Sequence, residues 1–261
     1  LRMLIRSPKV CLRTLSANAA VSKRVLQKLR SETGLPFIKI KEALQVNDNN
    51  PDKALIWLEK KAVEQNWAKA QKVSGRETSH GLVGIVQKKD FVSMITLQCE
   101  TESVAKNEHF ITLLHQSAVA LQQSQASGII DPSNILDKTV NGIKLSELFT
   151  QTIGRLGENI KTKSCFSYKI DSPSISTASY LHRKITSDLN GISLGSIGSL
   201  AVFENLNNEA VGTAIAQHIV GSENCDDLLE QPLLQDESIT IGQLCEQHNF
   251  RILDHCKMTV R

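Results

Sequence analysis

FVSMITLQCETESVAKNEHFITLL, residues 91–114, carries the change of pattern around which the rest of the chain is organised. Its first nine residues are mostly apolar and rich in β-branched side chains, which indicates a buried strand. Residues 100–103 are then polar, and Phe110, Leu113 and Leu114 recur with the spacing of one helical face. The stretch predicts a strand, a short elbow and a helix. An elbow of this shape can hold a catalytic nucleophile, cradle a phosphate or press into a partner.

The residues just upstream predict a strand paired with the first one. LVGIVQ, residues 82–87, is followed by the turn KKD, so residues 82–99 predict an antiparallel hairpin. Phe91, Ile95, Leu97 and Cys99 are expected on one of its faces.

Residues 20–67 predict three short helices, because each third of this segment carries apolar residues on one helical face. The sequence Thr33-Gly34-Leu35-Pro36 separates the first two helices, since glycine permits a left-handed turn and proline cannot continue a helix. Asn50 and Pro51 predict the cap and the first residue of the third helix. A lysine-rich stretch then predicts a solvated helical linker over residues 68–80.

Downstream of the elbow helix, residues 127–142 are rich in turn-forming residues, and a second helix is expected from Ser146 through Ile160. The segments SCFSYKI and ISLGSIGSLAVFE predict strands, EAVGTAIAQHIVG and ITIGQLCEQHN predict helices, and FRILDHCKM predicts a closing strand. Strands followed by helices in two successive blocks predict an α+β fold: a three-helix domain followed by two α+β lobes with antiparallel sheets.

Charge is unevenly distributed along the 261 residues. The net charge is +3, yet residues 1–31 contain no acidic residue, and Arg2, Arg6, Lys9 and Arg13 stand among apolar residues and serines. This pattern predicts a mitochondrial transit peptide over residues 1–18, with a basic disordered tail as the alternative. Without those four charges the remainder is near neutral, so neither a nucleic-acid partner nor a membrane is implied, and no apolar run approaches the roughly 20 residues that span a bilayer.

Motifs for catalysis and for metal binding are not found in the sequence. Six scattered cysteines form no Cys-x-x-Cys pair, and the quartet Cys245, His248, His255 and Cys256 lies in segments that alternate like helix and strand. There is no phosphate-binding loop, no G-x-S-x-G elbow and no H-E-x-x-H helix. We therefore expect no cofactor and no metal, and a protein that works by binding.

Several segments together resemble translation elongation factor Ts, and its mitochondrial branch most closely. The matching motifs stand in the family's order: Leu29-Arg30-Ser31-Glu32-Thr33-Gly34, Lys41-Glu42-Ala43-Leu44, Cys99 through Lys106, Leu156-Gly157-Glu158-Asn159-Ile160, Tyr180-Leu181-His182, Ala216-Gln217-His218-Ile219-Val220, Gln231-Pro232 and Ile241-Gly242-Gln243-Leu244. The resemblance as a whole covers residues 20 to about 256.

The resemblance implies guanine nucleotide exchange on mitochondrial elongation factor Tu, bound in its GDP-bound and its nucleotide-free states, in the mitochondrial matrix. It makes residues 19–67 a domain similar to ubiquitin-associated domains, followed by a linker (68–80) and two lobes (81–160 and 161–261). The residues expected at the Mg²⁺ and phosphate region of the GTPase are Thr101, Glu102, Ser103, Val104, Tyr180 and His182. Those expected to dock the N-terminal domain are Leu29, Arg30, Thr33 and Gly34.

Two departures from the family pattern qualify these expectations. Bacterial relatives have Asp-Phe at the elbow where this chain has Glu102-Ser103, so an aromatic anchor is missing. Only residues 221–230 stand where bacterial relatives insert a helical arm, so we expect a 1:1 complex.

Three other interpretations of the sequence are open. In the first, the elbow is a plain strand-to-helix connection in which Ser103 caps the next helix. In the second, Ser103 is a hydrolase nucleophile that works with a remote histidine. Alternatively, the protein is an adaptor of the ubiquitin-associated type that relies on residues 20–67 alone.

Overall fold

The computed structural model describes residues 23–33, 37–185 and 191–261, and the chain divides into two compact units, Leu1–Glu64 and Gln65–Arg261. The transit peptide expected over residues 1–18 lies outside the described residues. So do Gly34, Leu35 and Pro36 of the expected break between the first two helices.

The first unit is helical, as the apolar spacing predicts. Its helices are α1 Lys23–Thr33, α2 Phe37–Val46 and the first part of α3 Pro51–Val73. The buried side chains of its core are Leu29, Ile40, Ala43, Leu44, Ala54 and Leu58. Asn50 Oδ1 accepts the N–H groups of Asp52 and Lys53, both at 3.1 Å, which confirms the predicted cap in front of Pro51.

The second unit mixes helices with antiparallel sheets. Its helices are α4 Glu102–Ala105, α5 Glu108–Gln122, α6 Ser133–Leu136, α7 Leu145–Leu156, α8 Glu209–Gly221 and α9 Ile241–His248, with a 3₁₀ turn at Leu228–Glu230. Its strands are β1 His80–Gln87, β2 Phe91–Cys99, β3 Gly128–Ile130, β4 Thr139–Val140, β5 Ile143–Lys144, β6 Ile160–Lys169, β7 Ile175–His182, β8 Ser193–Gly195, β9 Ile197–Glu204, β10 Pro232–Leu233, β11 Asp236–Thr240 and β12 Arg251–Thr259. The α+β class is therefore confirmed.

The predicted hairpin forms the centre of a five-stranded sheet with the order β3-β6-β2-β1-β8. Six consecutive residues of β2, from Val92 to Leu97, are buried, so both faces of the strand are covered. Ile95 and Leu97 face the core beneath α5, whereas Val92 and Met94 pack against the second sheet. The continuous apolar pattern of β2 thus indicates a strand in a sheet that is covered on both faces.

The structure corrects the expected helix from Ser146 to Ile160. Helix α7 ends at Leu156, because Gly157 takes a left-handed conformation (φ 77°), and Ile160 already begins β6. Strand β6 pairs along its length with β2, from Cys99↔Ile160 to Phe91↔Lys169. The first sheet therefore contains residues on both sides of residue 160, where the sequence analysis separates the two lobes.

The second sheet has the order β12-β9-β7, and α8 packs against its outer face. The predicted helices α8 and α9 and the closing strand β12 are confirmed. A capping box in which Thr240 and Gln243 bond each other's backbone N–H groups begins α9. The layers follow in the order helices, five-stranded sheet, three-stranded sheet, helices.

Candidate functional site

The elbow predicted from the sequence is a short exposed connection between β2 and α5. Thr101 is extended (φ −128°, ψ 153°) and precedes the single-turn helix α4. Glu102 and Ser103 are exposed, Val104 is half-buried against the core beneath α5, and Ala105 is buried. The polar tip is therefore presented to solvent while its base is packed.

Ser103 does not cap the following helix. That role belongs to Asn107, whose Oδ1 accepts the N–H of His109 at 2.9 Å. The Ser103 hydroxyl instead lies 3.1 Å from Thr101 Oγ1. Among the hydrogen bonds of the described residues, Ser103 has no histidine partner, so the geometry of an activated serine is not present there.

Thr101 is held by a single carboxylate. Its N–H donates to Glu158 Oε2 at 3.0 Å, and its hydroxyl donates to Glu158 Oε1 at 2.7 Å. One residue earlier, Glu100 Oε1 accepts the N–H of Asn159 at 2.7 Å. Two neighbouring segments of chain thus hold each other at the base of the elbow.

Glu102, at the tip, is a charged group in water. It pairs with Lys106 at 2.8 Å, and its side chain remains 70% exposed. The hydrogen bond and the charge of Lys106 lower the pKa of Glu102, and the charges of His80 and Arg261 act in the same direction. The carboxylate is therefore ionised at physiological pH.

The thiol of Cys99 supports the elbow from below. Its Sγ donates to the carbonyl oxygen of Thr101 at 3.2 Å. Burial raises the pKa of this thiol to about 12, and the nearby Glu158 carboxylate contributes to the increase. Cys99 is therefore a neutral hydrogen-bond donor within the fold.

Tyr180 and His182 lie on β7, a strand that the sequence analysis missed. Tyr180 is half-buried, and His182 is the exposed last residue of the strand, followed by Arg183 in a left-handed conformation (φ 52°). Strand β7 forms an edge of the second sheet, and most of its residues are only half-buried. Its sequence consequently lacks a clear alternation of apolar and polar residues.

A short series of hydrogen bonds joins His182 to the strand that leads into the elbow. The N–H of Ser196 donates to His182 O at 3.1 Å, and Ser196 O accepts the N–H of Val260 at 3.3 Å. The carbonyl of Val260 accepts Gln98 Nε2 at 2.7 Å. The strand that leads into the elbow and the end of β7 are therefore both linked to Val260, which follows β12, and lie at the same end of the second unit.

The four expected docking residues are in or next to α1. Leu29 is only 2% exposed, as part of the core of the first unit, so its side chain is not on the surface. Arg30 is exposed, and its guanidinium lies 4.4 Å from the centre of the Phe37 ring. Thr33 is the last residue of α1, and Gly34 lies outside the described residues.

The carboxylates that hold the elbow were not identified as functional residues from the sequence. The motif at residues 156–160 was noted, but only the pairing of β2 with β6 shows that Glu158 and Asn159 contact residues 100 and 101. The sequence pattern also does not indicate His80, which lies at the start of β1 opposite Cys99 and whose charge acts on Glu102.

Metal clusters and membrane spans are both absent from the described residues. No three His, Cys, Asp or Glu side chains converge there as a metal site would require. No helix in these ranges combines the length and the apolar character needed to cross a membrane.

Comparison with known proteins gives the class of protein and then the family. The family model described as Elongation factor TS matches residues 100–225, and one described as Elongation factor Ts, mitochondrial, N-terminal matches residues 10–68. Human mitochondrial elongation factor Ts is 32% identical over an alignment of 272 positions, gaps included. The alignment covers 92% of this chain and 83% of the relative. The Branchiostoma floridae and Nematostella vectensis proteins of the same name are 28% and 27% identical, covering 94% and 90% of this chain and 91% and 97% of their own lengths.

These matches define a translation elongation factor. The chain belongs to the elongation factor Ts family.

Proposed function

We propose that this protein is the guanine nucleotide exchange factor of mitochondrial elongation factor Tu and that it acts by binding. The observation that carries the proposal is the elbow at residues 101–104, a polar tip with an exposed, ionised carboxylate on a firmly held base. Membership of the family and the mitochondrial names of the relatives support the choice of partner.

Exchange requires a preference for one state of the GTPase. GDP in such proteins is held by backbone amides of a phosphate-binding loop and by Mg²⁺ that bridges its phosphates. A factor that binds the nucleotide-free state more tightly than the GDP-bound state must release GDP, because only differential affinity shifts an equilibrium. In our proposal, both states form 1:1 complexes.

The elbow is proposed to supply part of this preference. Glu102 approaches the Mg²⁺ end of the nucleotide site, where it acts by charge repulsion against phosphate or by displacing groups that hold the waters of the metal. Thr101, Ser103 and Val104 form the surrounding contact. Ser103 provides no buried ring, so the roughly 1.5–3 kcal/mol that a buried phenylalanine contributes is absent from this contact.

His182 and Tyr180 are proposed to act from the second sheet. His182 is exposed at the same end of the unit as the elbow, and it approaches the phosphate-binding loop from the other side of the nucleotide. Tyr180, half-buried two residues earlier on the same edge strand, orients that end of β7.

The N-terminal unit is proposed to dock on the nucleotide domain through the end of α1. Arg30, exposed and stacked on Phe37, provides the charged contact there. The division into residues 1–18, 19–67, 68–80, 81–160 and 161–261 and the location in the mitochondrial matrix belong to the same proposal. The first of these segments is proposed as the transit peptide.

The test is stopped-flow release of fluorescent GDP from mitochondrial elongation factor Tu at fixed Mg²⁺. The wild-type protein accelerates release, and the double variant Glu102→Ala, His182→Ala lowers the maximal rate about tenfold while its affinity for the nucleotide-free GTPase changes little. The matched control is Glu237→Ala, His248→Ala, which removes two exposed groups of the same types on β11 and α9.

Two results would contradict the proposal. Binding of the GTPase without any acceleration of GDP release is the behaviour of an adaptor and excludes exchange. Equal maximal rates for the wild-type protein and the Glu102, His182 double variant exclude the elbow and His182 as the acting groups.

A further inference from the structure

We infer that Glu100 and Glu158 form a reciprocal clamp that aims the elbow, and that they are positioning residues for nucleotide exchange. The clamp consists of Glu100, Thr101, Glu158 and Asn159. This inference rests on the proposed function, since it assigns a role in exchange to residues that lie behind the contacting tip.

The clamp lies where the ladder between β2 and β6 ends. The last paired residues are Cys99 and Ile160, so Glu100 and Thr101 continue opposite Asn159 and Glu158. Beyond this point, side chains replace the backbone carbonyls as acceptors. Glu100 receives the N–H of Asn159 at 2.7 Å, and Glu158 receives the N–H of Thr101 at 3.0 Å. Each segment supplies one carboxylate to the other.

Glu158 fixes both position and direction at Thr101. It accepts the backbone N–H with one oxygen and the side-chain hydroxyl, at 2.7 Å, with the other. Two charge-assisted bonds from one carboxylate to one residue restrict rotation as well as translation. Glu102 is the next residue, so the direction of its backbone is set by this contact.

A second set of bonds fixes the clamp to the chain that precedes β1. Asn159 is 3% exposed, and its Nδ2 donates to the carbonyls of Ser74 and Arg76 at 3.1 and 2.7 Å. Arg76 in turn lies 3.4 Å from both oxygens of Glu100. Glu100 and Asn159 are therefore both bonded to the segment that leaves α3.

The proposed clamp matters when the tip of the elbow is pressed against the GTPase. An elbow that pivots at Thr101 can still bind the GTPase, but it yields instead of displacing metal and phosphate contacts. Loss of the clamp should therefore lower the maximal rate of GDP release more than the affinity, since small misplacements of acting groups cost large factors in rate.

The experiment uses the full chain with mitochondrial elongation factor Tu and compares Glu158→Ala, Thr101→Val and Thr101→Ser. Glu158→Ala and Thr101→Val are expected to lower the maximal rate of GDP release about tenfold, with affinity for the nucleotide-free GTPase changed less than about twofold. The double variant of Glu158→Ala and Thr101→Val is expected to be no slower than Glu158→Ala alone, because the hydroxyl bond that Thr101→Val removes is already lost in Glu158→Ala. Thr101→Ser keeps the hydroxyl and should restore the rate.

The control is Glu204→Ala, which removes a carboxylate paired with Arg251 in the second sheet. It removes one negative charge, as Glu158→Ala does, and should leave the rate of GDP release unchanged. A Glu158→Ala protein that fails to fold still leaves Thr101→Val against Thr101→Ser, a pair that differs at one exposed side chain.

The outcomes separate the two proposals. If the wild-type protein does not accelerate GDP release, the proposed function is wrong. If the wild-type protein accelerates release and Glu102→Ala slows it, yet Thr101→Val matches the wild type, the clamp is overturned while the exchange function stands. Equal loss of rate in Thr101→Val and Thr101→Ser would also overturn it.

Discussion

Replacement of His218 by leucine should destabilise the second unit by removing the buried centre of a partly buried hydrogen-bond network. His218 lies on α8 and is 5% exposed. Its Nδ1 accepts the N–H of Leu234 at 3.1 Å, which assigns the proton to Nε2, and Nε2 donates to Gln231 Oε1 at 2.8 Å. Ser222 Oγ donates to the same oxygen of Gln231 at 3.1 Å. The imidazole thus joins α8 to the residues on either side of β10, Gln231 before the strand and Leu234 after it.

The expected magnitude follows from the groups that would lose their partners. Leu234 itself is 59% exposed, so its N–H can turn to water when leucine removes the acceptor, and the lost bond is worth about 1 kcal/mol. Gln231 Oε1 keeps the Ser222 hydroxyl, so the second lost bond is also worth about 1 kcal/mol. Apolar burial of leucine offsets part of this, which gives a net destabilisation of about 1 to 2 kcal/mol. At about 2–4 °C per kcal/mol for a domain of this size, the midpoint of thermal unfolding falls by roughly 2–8 °C.

The assay combines urea unfolding with amide hydrogen exchange at Leu234. His218→Asn is the informative partner variant, because asparagine Oδ1 occupies the position of Nδ1 and can still accept the Leu234 N–H. We expect Leu234 to lose protection in His218→Leu and to keep it in His218→Asn. His248→Leu, at an exposed position on α9, serves as the control. An unchanged urea midpoint with Leu234 still protected in His218→Leu would refute the reasoning.

Two further predictions concern the first sheet. A Cβ on Gly81 would lie 2.0 Å from Leu97 O in the neighbouring strand, so Gly81→Ala should lower the free energy of unfolding by about 3 kcal/mol in urea titrations. Gly75→Ala, with no atom within 4 Å of the added Cβ, should leave it unchanged, and equal effects of the two would contradict this account. Burial raises the pKa of Cys165 from 9.0 to about 12, so the neutral thiol is favoured in the folded state, and stability is lost as the pH rises from 9.0 towards 12. Cys165→Ala should show a shallower loss over this interval in urea midpoints measured at pH 8 and 10, and parallel curves for the two proteins would exclude the effect.

The spacing of apolar residues was sufficient to predict those elements whose buried face is defined by their own residues. The helix after the elbow, α8 and the hairpin follow from spacing alone, because each buries a face that its own residues define. The cap at Asn50 follows equally from its side chain and the proline behind it. These elements required no knowledge of their partners.

Pairing between distant segments could not be obtained in this way. Strand β6 joins the first sheet across 60 residues of chain, and the apolar positions 153, 156 and 160 look like a continuing helix until Gly157 ends it. Strand β7 is half-buried along an edge, so the energetic reason for strict alternation is missing. The contacts of Glu158 with Thr101 depend on both the pairing of β6 and the end of α7.

An elbow without an aromatic anchor depends on stiffness more than on contact area. A buried ring adds affinity, and affinity that is equal for both nucleotide states does not shift the balance between them. In the proposed mechanism, the exposed carboxylate of Glu102 adds little affinity, yet it disfavours the state that holds phosphate and metal, provided that the elbow is held in place. The contacts at Thr101 come from Glu158, from Cys99 and from Ser103, whose hydroxyl lies 3.1 Å from Thr101 Oγ1 on an exposed side chain. In the proposed mechanism Ser103 therefore supports Thr101 as well as belonging to the contact surface, and exchange depends on Glu102 and on the residues that hold the elbow.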